Sequence, residues 1–338
     1  MDAAVYEGEG TVTVRSVPTP EVGPGDVLVE ISHCGICGSD LHFVIEGWSK
    51  PGSVHGHEYS GVIAATGAMV SGWSVGDRVV GGPDRGCGGC APCRSGLTQL
   101  CARREKPGVT PSRGAFATYK VLPTDRLFRV PAGVELRAAA LTEPLAVALR
   151  GVRRSGAGPG SRVLVTGGGP IGQLTVAVLR SVGVDEIVVS EPAPSRQRLA
   201  RALGATVVEP ATLAEPALPM DLVDAPFDAA IECSGRADAI TSALAQLGRT
   251  GVLVLSGTGM IRPRIDHLRI ILNELVVTGS MEYTRDDYDA ALGLLADGRI
   301  PVDVLIEPAD VPLAGVQAAM ERLAAGELAG KVMVTPHG

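Results

Sequence analysis

Cys87, Cys90, Cys93 and Cys101 are spaced C-x2-C-x2-C-x7-C in a stretch rich in glycine and proline. Four thiolates on so short a loop suit a closed tetrahedral zinc site, because soft sulfur ligands prefer zinc and tight turns let neighbouring ligands reach one ion. Disulfides fit less well. The chain opens MDAAVYEGEG, with neither a basic nor an apolar leader, and its seven cysteines are an odd number. An iron–sulfur cluster uses similar thiolate spacing and stays open as an alternative.

A different donor set lies upstream. Cys37 in HCGICGSDLH and His57-Glu58 in GHE offer sulfur, nitrogen and oxygen. Mixed donors that leave one position for water mark a catalytic rather than a structural zinc. Cys34 and Cys37 also read as a C-x2-C redox pair, but the segment lacks the helix start and βαβ setting that such a pair uses. His55 and His57 could equally be polar residues on a strand edge.

The third constellation is RVLVT, residues 162–166, running directly into Gly167-Gly168-Gly169-Pro170-Ile171-Gly172. Gly167, Gly169 and Gly172 match G-x-G-x-x-G. The first makes a tight turn, the second lets the backbone approach a pyrophosphate, and the third lets a helix pack against the strand. Glu191 follows nineteen residues after Gly172, at the end of the next apolar run, EIVVS. A carboxylate there accepts hydrogen bonds from ribose hydroxyls and repels a 2′-phosphate, which favours NAD over NADP. Arg196 and Arg198 keep NADP open, since an arginine here can hold a 2′-phosphate; otherwise they form a solvated helix face.

These groups need two kinds of support. Residues 1–130 carry short alternating runs broken by Gly and Pro, such as 26–31, 59–66 and 77–80, which predict a β-barrel-like domain. A helical stretch covers 141–154. Strand and helix signals then alternate: strands at 162–166, 186–190, 227–232 and 251–255, with helices from Pro170, near 195–203 and near 237–247. That alternation predicts a parallel sheet of βαβ units. The tail from Pro301 reads as strand-like pieces able to rejoin the first domain. Residues 209–219 read as a surface excursion.

The chain has 338 residues, enough for two cores, with 45% apolar and 20% charged residues. Its net charge of −7 and lack of basic runs argue against nucleic-acid binding. No apolar run approaches the ~18 residues that span a bilayer. A cytoplasmic protein is the resulting expectation.

Taken in order, CGICGSDLH, GHE, the four-cysteine loop, Glu143-Pro144 in LTEPLAVAL and GGGPIG resemble the zinc-containing medium-chain alcohol dehydrogenases over nearly the whole chain. Glu143 makes it similar to the polyol, threonine and butanediol branches, since the ethanol-type enzymes carry cysteine there. The resemblance implies an α/β fold: a GroES-like β-rich catalytic domain, residues 1–150 completed by 300–338, and a Rossmann doubly wound parallel sheet, residues 151–299. It implies two zinc ions per chain. Cys37, His57 and Glu58 would bind the catalytic one, with Glu143 as a further ligand or a contact through water. Cys87, Cys90, Cys93 and Cys101 would hold the structural one. Asp40 would orient His57. Ser39 would touch the substrate hydroxyl and His42 would pass its proton to solvent. Gly167, Gly169, Pro170, Ile171, Gly172, Glu191 and Arg196 would contact NAD. Glu282 stands where relatives acting on sugar alcohols carry arginine, which argues against sorbitol-like specificity.

The implied activity is hydride transfer between NAD and a secondary alcohol, diol or polyol, or reduction of the matching ketone. The implied assembly is a homodimer or homotetramer. Two alternatives remain: an NADP(H)-dependent ketone reductase, and a non-catalytic NAD-binding sensor on the same fold.

Overall fold

The computed structural model describes residues 1–104 and 109–337. Alternating burial along strand Asp26–Gly35 (DVLVEISHCG) makes it the spine of a mixed sheet. The strand order is Val311–Pro312, Met333–Thr335, Asp26–Gly35, Glu58–Thr66, Arg78–Gly81, Leu127–Arg129, and Tyr119–Pro123 also pairs with the spine. Its register sets up the chemistry. Gly35 pairs with Glu58 on one side and with Met333 on the other. The loop carrying Cys37, the segment carrying His57 and Glu58, and the C-terminal strand therefore meet at one end of the sheet. A small antiparallel sheet, Thr11–Ser16 with Asp2–Gly8 and Ser53–Val54, packs nearby.

The second sheet is wholly parallel. Its order is Thr206–Val208, Glu186–Ser190, Arg162–Thr166, Phe227–Glu232, Leu247–Leu255, Val276–Gly279. Numbered along the chain, this is 3-2-1-4-5-6, the doubly wound order whose ligand crevice opens between strands one and four at their carboxyl ends. Arg162–Thr166 and Phe227–Glu232 flank that switch point.

The two sheets share a core rather than merely touching. One apolar cluster runs from Val80 and Phe128 through Leu145 and Leu149 of helix Thr142–Ser155 to Val163 and Leu174. The buried Tyr288 hydroxyl donates to the Gly81 carbonyl at 2.8 Å and ties helix Arg285–Ala296 to the first sheet. Among the described residues no helix is long and apolar enough to cross a membrane.

Two sequence expectations change. The tail is not only strand-like: residues 316–324 form a helix whose buried positions are Val316, Ala319, Met320 and Leu323. That i, i+3, i+4, i+7 spacing is a helical face, and neighbouring turn residues masked it. The fifth parallel strand also begins at Leu247, not Gly251, because Leu247 pairs with Phe227 before a register shift.

Candidate metal centres and nucleotide crevice

Cys37 precedes helix Gly38–Val44, and its backbone N–H donates to Asp40 Oδ2 at 2.9 Å. The same carboxylate accepts from Gly56 N–H at 3.3 Å and lies 3.6 Å from His57 Nδ1. One buried acid thus fixes the loop before the helix, the turn before His57, and the ring itself. Potential ligand atoms of Cys37, His57 and Glu58 all fall within 4.8 Å of one another. Burial works against a charged His57, but its side chain is still 41% exposed, and Asp40 and Cys37 hold it well above the usual histidine range.

Glu58 is fully buried. Its Oε1 accepts from Lys331 Nζ at 2.7 Å, and Lys331 also donates to the Ile36 carbonyl. Its Oε2 has no partner. An orphaned carboxylate oxygen within reach of a thiol and an imidazole is what a zinc ligand looks like before the ion is placed. Glycine is required opposite: a Cβ at Gly35 would collide with the Glu58 carboxylate and press on Lys331.

Glu143, in the first turn of helix Thr142–Ser155, stands outside that trio but within its field. Burial, with the nearby Glu58 charge, pushes its carboxyl up to about 7, against the opposing influence of His57 and the neighbouring Tyr283. Ser39 and His42 are one turn apart on their helix and so share a face. His42 Nδ1 lies 2.7 Å from Glu46 Oε1, and its ring stacks on Trp48 at 5.0 Å.

The redox-pair alternative loses ground here. Cys37 does stand at a helix start, which the sequence did not suggest, but the preceding strand is antiparallel to its neighbours. Cys34 is wholly buried, and burial pushes its thiol well above the usual range. Burial likewise pushes Cys233 up to about 12, as for a small apolar side chain.

The loop cysteines Cys87, Cys90, Cys93 and Cys101 also converge, with all four sulfurs within 4.8 Å. Gly86 and Gly88 take φ of +66°, and a Cβ on Gly86 would meet the Cys93 sulfur. Backbone N–H groups of Cys87 and Arg103 donate to Cys101 Sγ at 3.3 and 3.4 Å. The Ala102 and Cys93 N–H groups bring Cys90 down to about 6. Amide donors aimed at sulfur favour thiolates, the form zinc binds.

In the crevice, Gly167 turns at φ +90°, and a Cβ on Gly172 would run into the Gly167 carbonyl. Gly169 faces open space, and helix Pro170–Ser181 begins there with no side-chain cap. Uncapped N–H groups beside a clear approach fit a pyrophosphate. Thr166, Ser256 and Ser280, at the carboxyl ends of three parallel strands, have buried hydroxyls without partners. Sequence reading missed these three, since lone Ser and Thr carry no spacing signal. Glu191 Oε2 accepts from Gly168 N–H at 2.7 Å and Oε1 from Ala193 N–H at 2.8 Å. Each oxygen keeps a lone pair for a ribose hydroxyl.

Arg196 is placed otherwise than expected: its Nη2 donates to the Leu323 carbonyl at 3.2 Å. The cause is packing of helix Pro194–Ala202 on the tail, where Ser195 also donates to Gly326. Arg198 is exposed.

Comparison with known proteins gives a consistent set. The alcohol dehydrogenase GroES-like domain model matches residues 23–132, and the zinc-binding dehydrogenase model matches residues 170–297. The chain is 36% identical to the 2-dehydro-3-deoxy-L-galactonate 5-dehydrogenase of Pseudoalteromonas atlantica, over 96% of this chain and 95% of that one. A Sinorhizobium meliloti structure solved with NADP bound is similar with a TM-score of 0.88 at 32% identity, covering 99% of each chain. The 2R,3R-butanediol dehydrogenase of Bacillus subtilis gives a TM-score of 0.88 at 28% identity, again over 99% of each chain.

Proposed function

Because the chain belongs to the zinc-binding alcohol dehydrogenase family with a GroES-like domain, we propose that it interconverts a secondary alcohol, diol or polyol with its ketone, using NAD as the hydride partner. The observation that carries this reading is the convergence of Cys37, His57 and Glu58, with Glu58 Oε2 left unpartnered. The catalytic unit would comprise residues 1–150 and 300–338, and the nucleotide unit 151–299.

When bound, zinc supplies Lewis-acid stabilisation of the charge that develops on the alcohol oxygen, and NAD supplies the hydride acceptor. The chain does the rest. Cys37, His57 and Glu58 hold the reactive metal, Asp40 and Lys331 hold two of those ligands, and Glu143 sits ready beside them as a further ligand or a contact through water. Ser39 Oγ takes the alcohol proton, and His42 hands it to solvent with its Nδ1 steadied by Glu46. Cys87, Cys90, Cys93 and Cys101 hold a second, structural zinc. The open N-terminus at Gly169, with Pro170 and Ile171 behind it, takes the pyrophosphate, and Glu191 takes the adenosine ribose.

NADP is the second reading, and the NADP-bound relative favours it. In this chain Arg196 is engaged by Leu323, so Arg198 is the arginine of the pair open to a 2′-phosphate. A homo-oligomer is also part of the proposal: Leu268, Ile271, Leu272 and Val276 are exposed beside the edge strand Val276–Gly279. Seven unpaired cysteines suit the reducing cytoplasm.

The test is absorbance at 340 nm with diols, polyols, threonine and cyclic secondary alcohols, each with NAD and with NADP, before and after chelation. Chelator-sensitive reduction of NAD is the expected result. A protein that binds NAD and zinc yet turns over none of these would be read instead as a sensor.

A further inference from the structure

Ser32, His33 and Asp310 form a cluster that hydride transfer does not use. Along strand Asp26–Gly35, the pairing with Glu58–Thr66 shifts register between Ile31 and His33, which leaves Ser32 with no residue opposite. Such a bulge breaks the strict alternation of faces, so two neighbouring side chains can turn toward each other. Ser32 Oγ lies 2.8 Å from His33 Nδ1. On the far side of the ring, His33 Nε2 lies 3.3 Å from Asp310 Oδ2. Asp310 stands just before strand Val311–Pro312 and is itself held. Its Oδ1 accepts from Arg137 Nε at 2.8 Å, and Arg137 Nη2 donates to the Glu307 carbonyl at 2.6 Å.

The partners assign the tautomer. A carboxylate only accepts, so the ring proton sits on Nε2, facing Asp310, and the Nδ1 lone pair faces Ser32. Ser32 Oγ is then the donor and His33 the acceptor. Burial pushes the His33 ring below the usual histidine range, against the opposing pull of Asp310. A histidine that served only as an ionic strut to the tail would gain from being charged, whereas this burial favours the neutral ring with its lone pair free.

The order is therefore nucleophile, base, orienting acid. Solvent reaches all three: Ser32 is half-buried, and the His33 and Asp310 side chains keep 20% and 25% exposure. None of them belongs to either cluster of potential metal ligands.

We propose that Ser32 is an activated nucleophile, and that this part of the first sheet carries a second activity, acyl transfer from small carboxylic esters. Ser32 Oγ attacks the ester carbonyl and its proton passes to His33 Nδ1. The bond from the carbonyl carbon to the alcohol oxygen then breaks, and His33 returns the proton to that leaving oxygen. Water attacks the acyl-serine in the same manner, which releases the acid and restores the hydroxyl. Asp310 keeps the ring in place and steadies its charge while it holds the proton. With no other side-chain partner for Ser32 Oγ among the described residues, the site suits esters with good leaving groups rather than amides.

The test treats zinc-loaded protein with a fluorophosphonate and, separately, with p-nitrophenyl acetate. The fluorophosphonate should bond to Ser32 with loss of fluoride, and peptide mass spectrometry locates the adduct. His33→Gln should slow that labelling about 100-fold, the scale of a positioned base, and Asp310→Asn should slow it less. Unmodified protein should release p-nitrophenol about ten-fold faster than Ser32→Ala, a variant that removes a single oxygen from a half-buried side chain. An adduct on other residues, or release that Ser32→Ala leaves unchanged, overturns the activity. Labelling of Ser32 at an unaltered rate in both His33→Gln and Asp310→Asn overturns the roles of base and orienting acid. Chelator-sensitive turnover with NAD should not move in Ser32→Ala, so the dehydrogenase reading is judged separately.

Discussion

Lys331 Nζ lies 2.7 Å from Glu58 Oε1, although 273 residues separate the two along the chain. Both are almost completely buried, at 2% and 0% side-chain exposure. A buried carboxylate proposed to serve a metal as well needs one oxygen neutralised and the other free, and Lys331 provides that division.

Lys331→Met should therefore leave Glu58 charged and unpaired. Breaking a buried pair from one side costs roughly 3–5 kcal/mol, and losing a ligand's supporting partner weakens metal binding roughly 10–100-fold. Unfolding in denaturant and zinc content after dialysis read the two effects separately. A variant with native stability and full zinc would remove Lys331 from the design.

In metal-free protein, burial raises Glu143 to about 7 from its ordinary 4.5. The folded state then binds more protons than the unfolded state between those values, so its stability falls as pH rises through that window. Glu143→Gln should flatten this part of the curve when chelated protein is melted across pH 4–8. An unchanged slope would mean that Glu143 is not the buried acid responsible.

Cys37→Ala should abolish turnover and lose about one zinc per chain, as expected for a site with three protein ligands. Cys93→Ala should lose the other zinc and chiefly lower stability or assembly. Metal analysis with activity per folded protein distinguishes them. A stable, fully assembled Cys93→Ala protein with no activity would contradict the division into two sites.

Glu191→Ala should weaken NAD roughly 10–100-fold, the range for hydrogen bonds to a charged group, and weaken NADP less. Fluorescence titration of both cofactors measures the difference. Since Glu191 also holds Gly168 and Ala193, Glu191→Gln serves as the shape-preserving control. Equal losses for both cofactors would sink the ribose assignment.

Much of this was legible in the sequence because local rules carried it. The run 162–166 into Gly167–Gly172 dictates strand, turn and helix within a short window, and the strand bounds 186–190 and 227–232 match as read. Cysteine spacing likewise places four sulfurs on one loop. What local reading missed depended on distant chain. Lys331 is a single cation two residues before the strand Met333–Thr335, and only the pairing of Met333 with Gly35 brings it to Glu58. Arg196 looked free because the tail that captures it begins over a hundred residues later.

The return of strand Met333–Thr335 to the spine Asp26–Gly35 also has a consequence during synthesis. The parallel sheet is built from consecutive residues, 162–279, and can form as it leaves the ribosome. The first sheet cannot close until residues 331–335 emerge, and only then does Glu58 gain its counter-charge. The four-cysteine loop, by contrast, is complete from residue 101 onward. The two proposed metal centres should therefore mature in sequence, the sulfur cluster early and the trio of Cys37, His57 and Glu58 last, so that a truncated nascent chain could carry an ion at the first while lacking the buried cation beside the second.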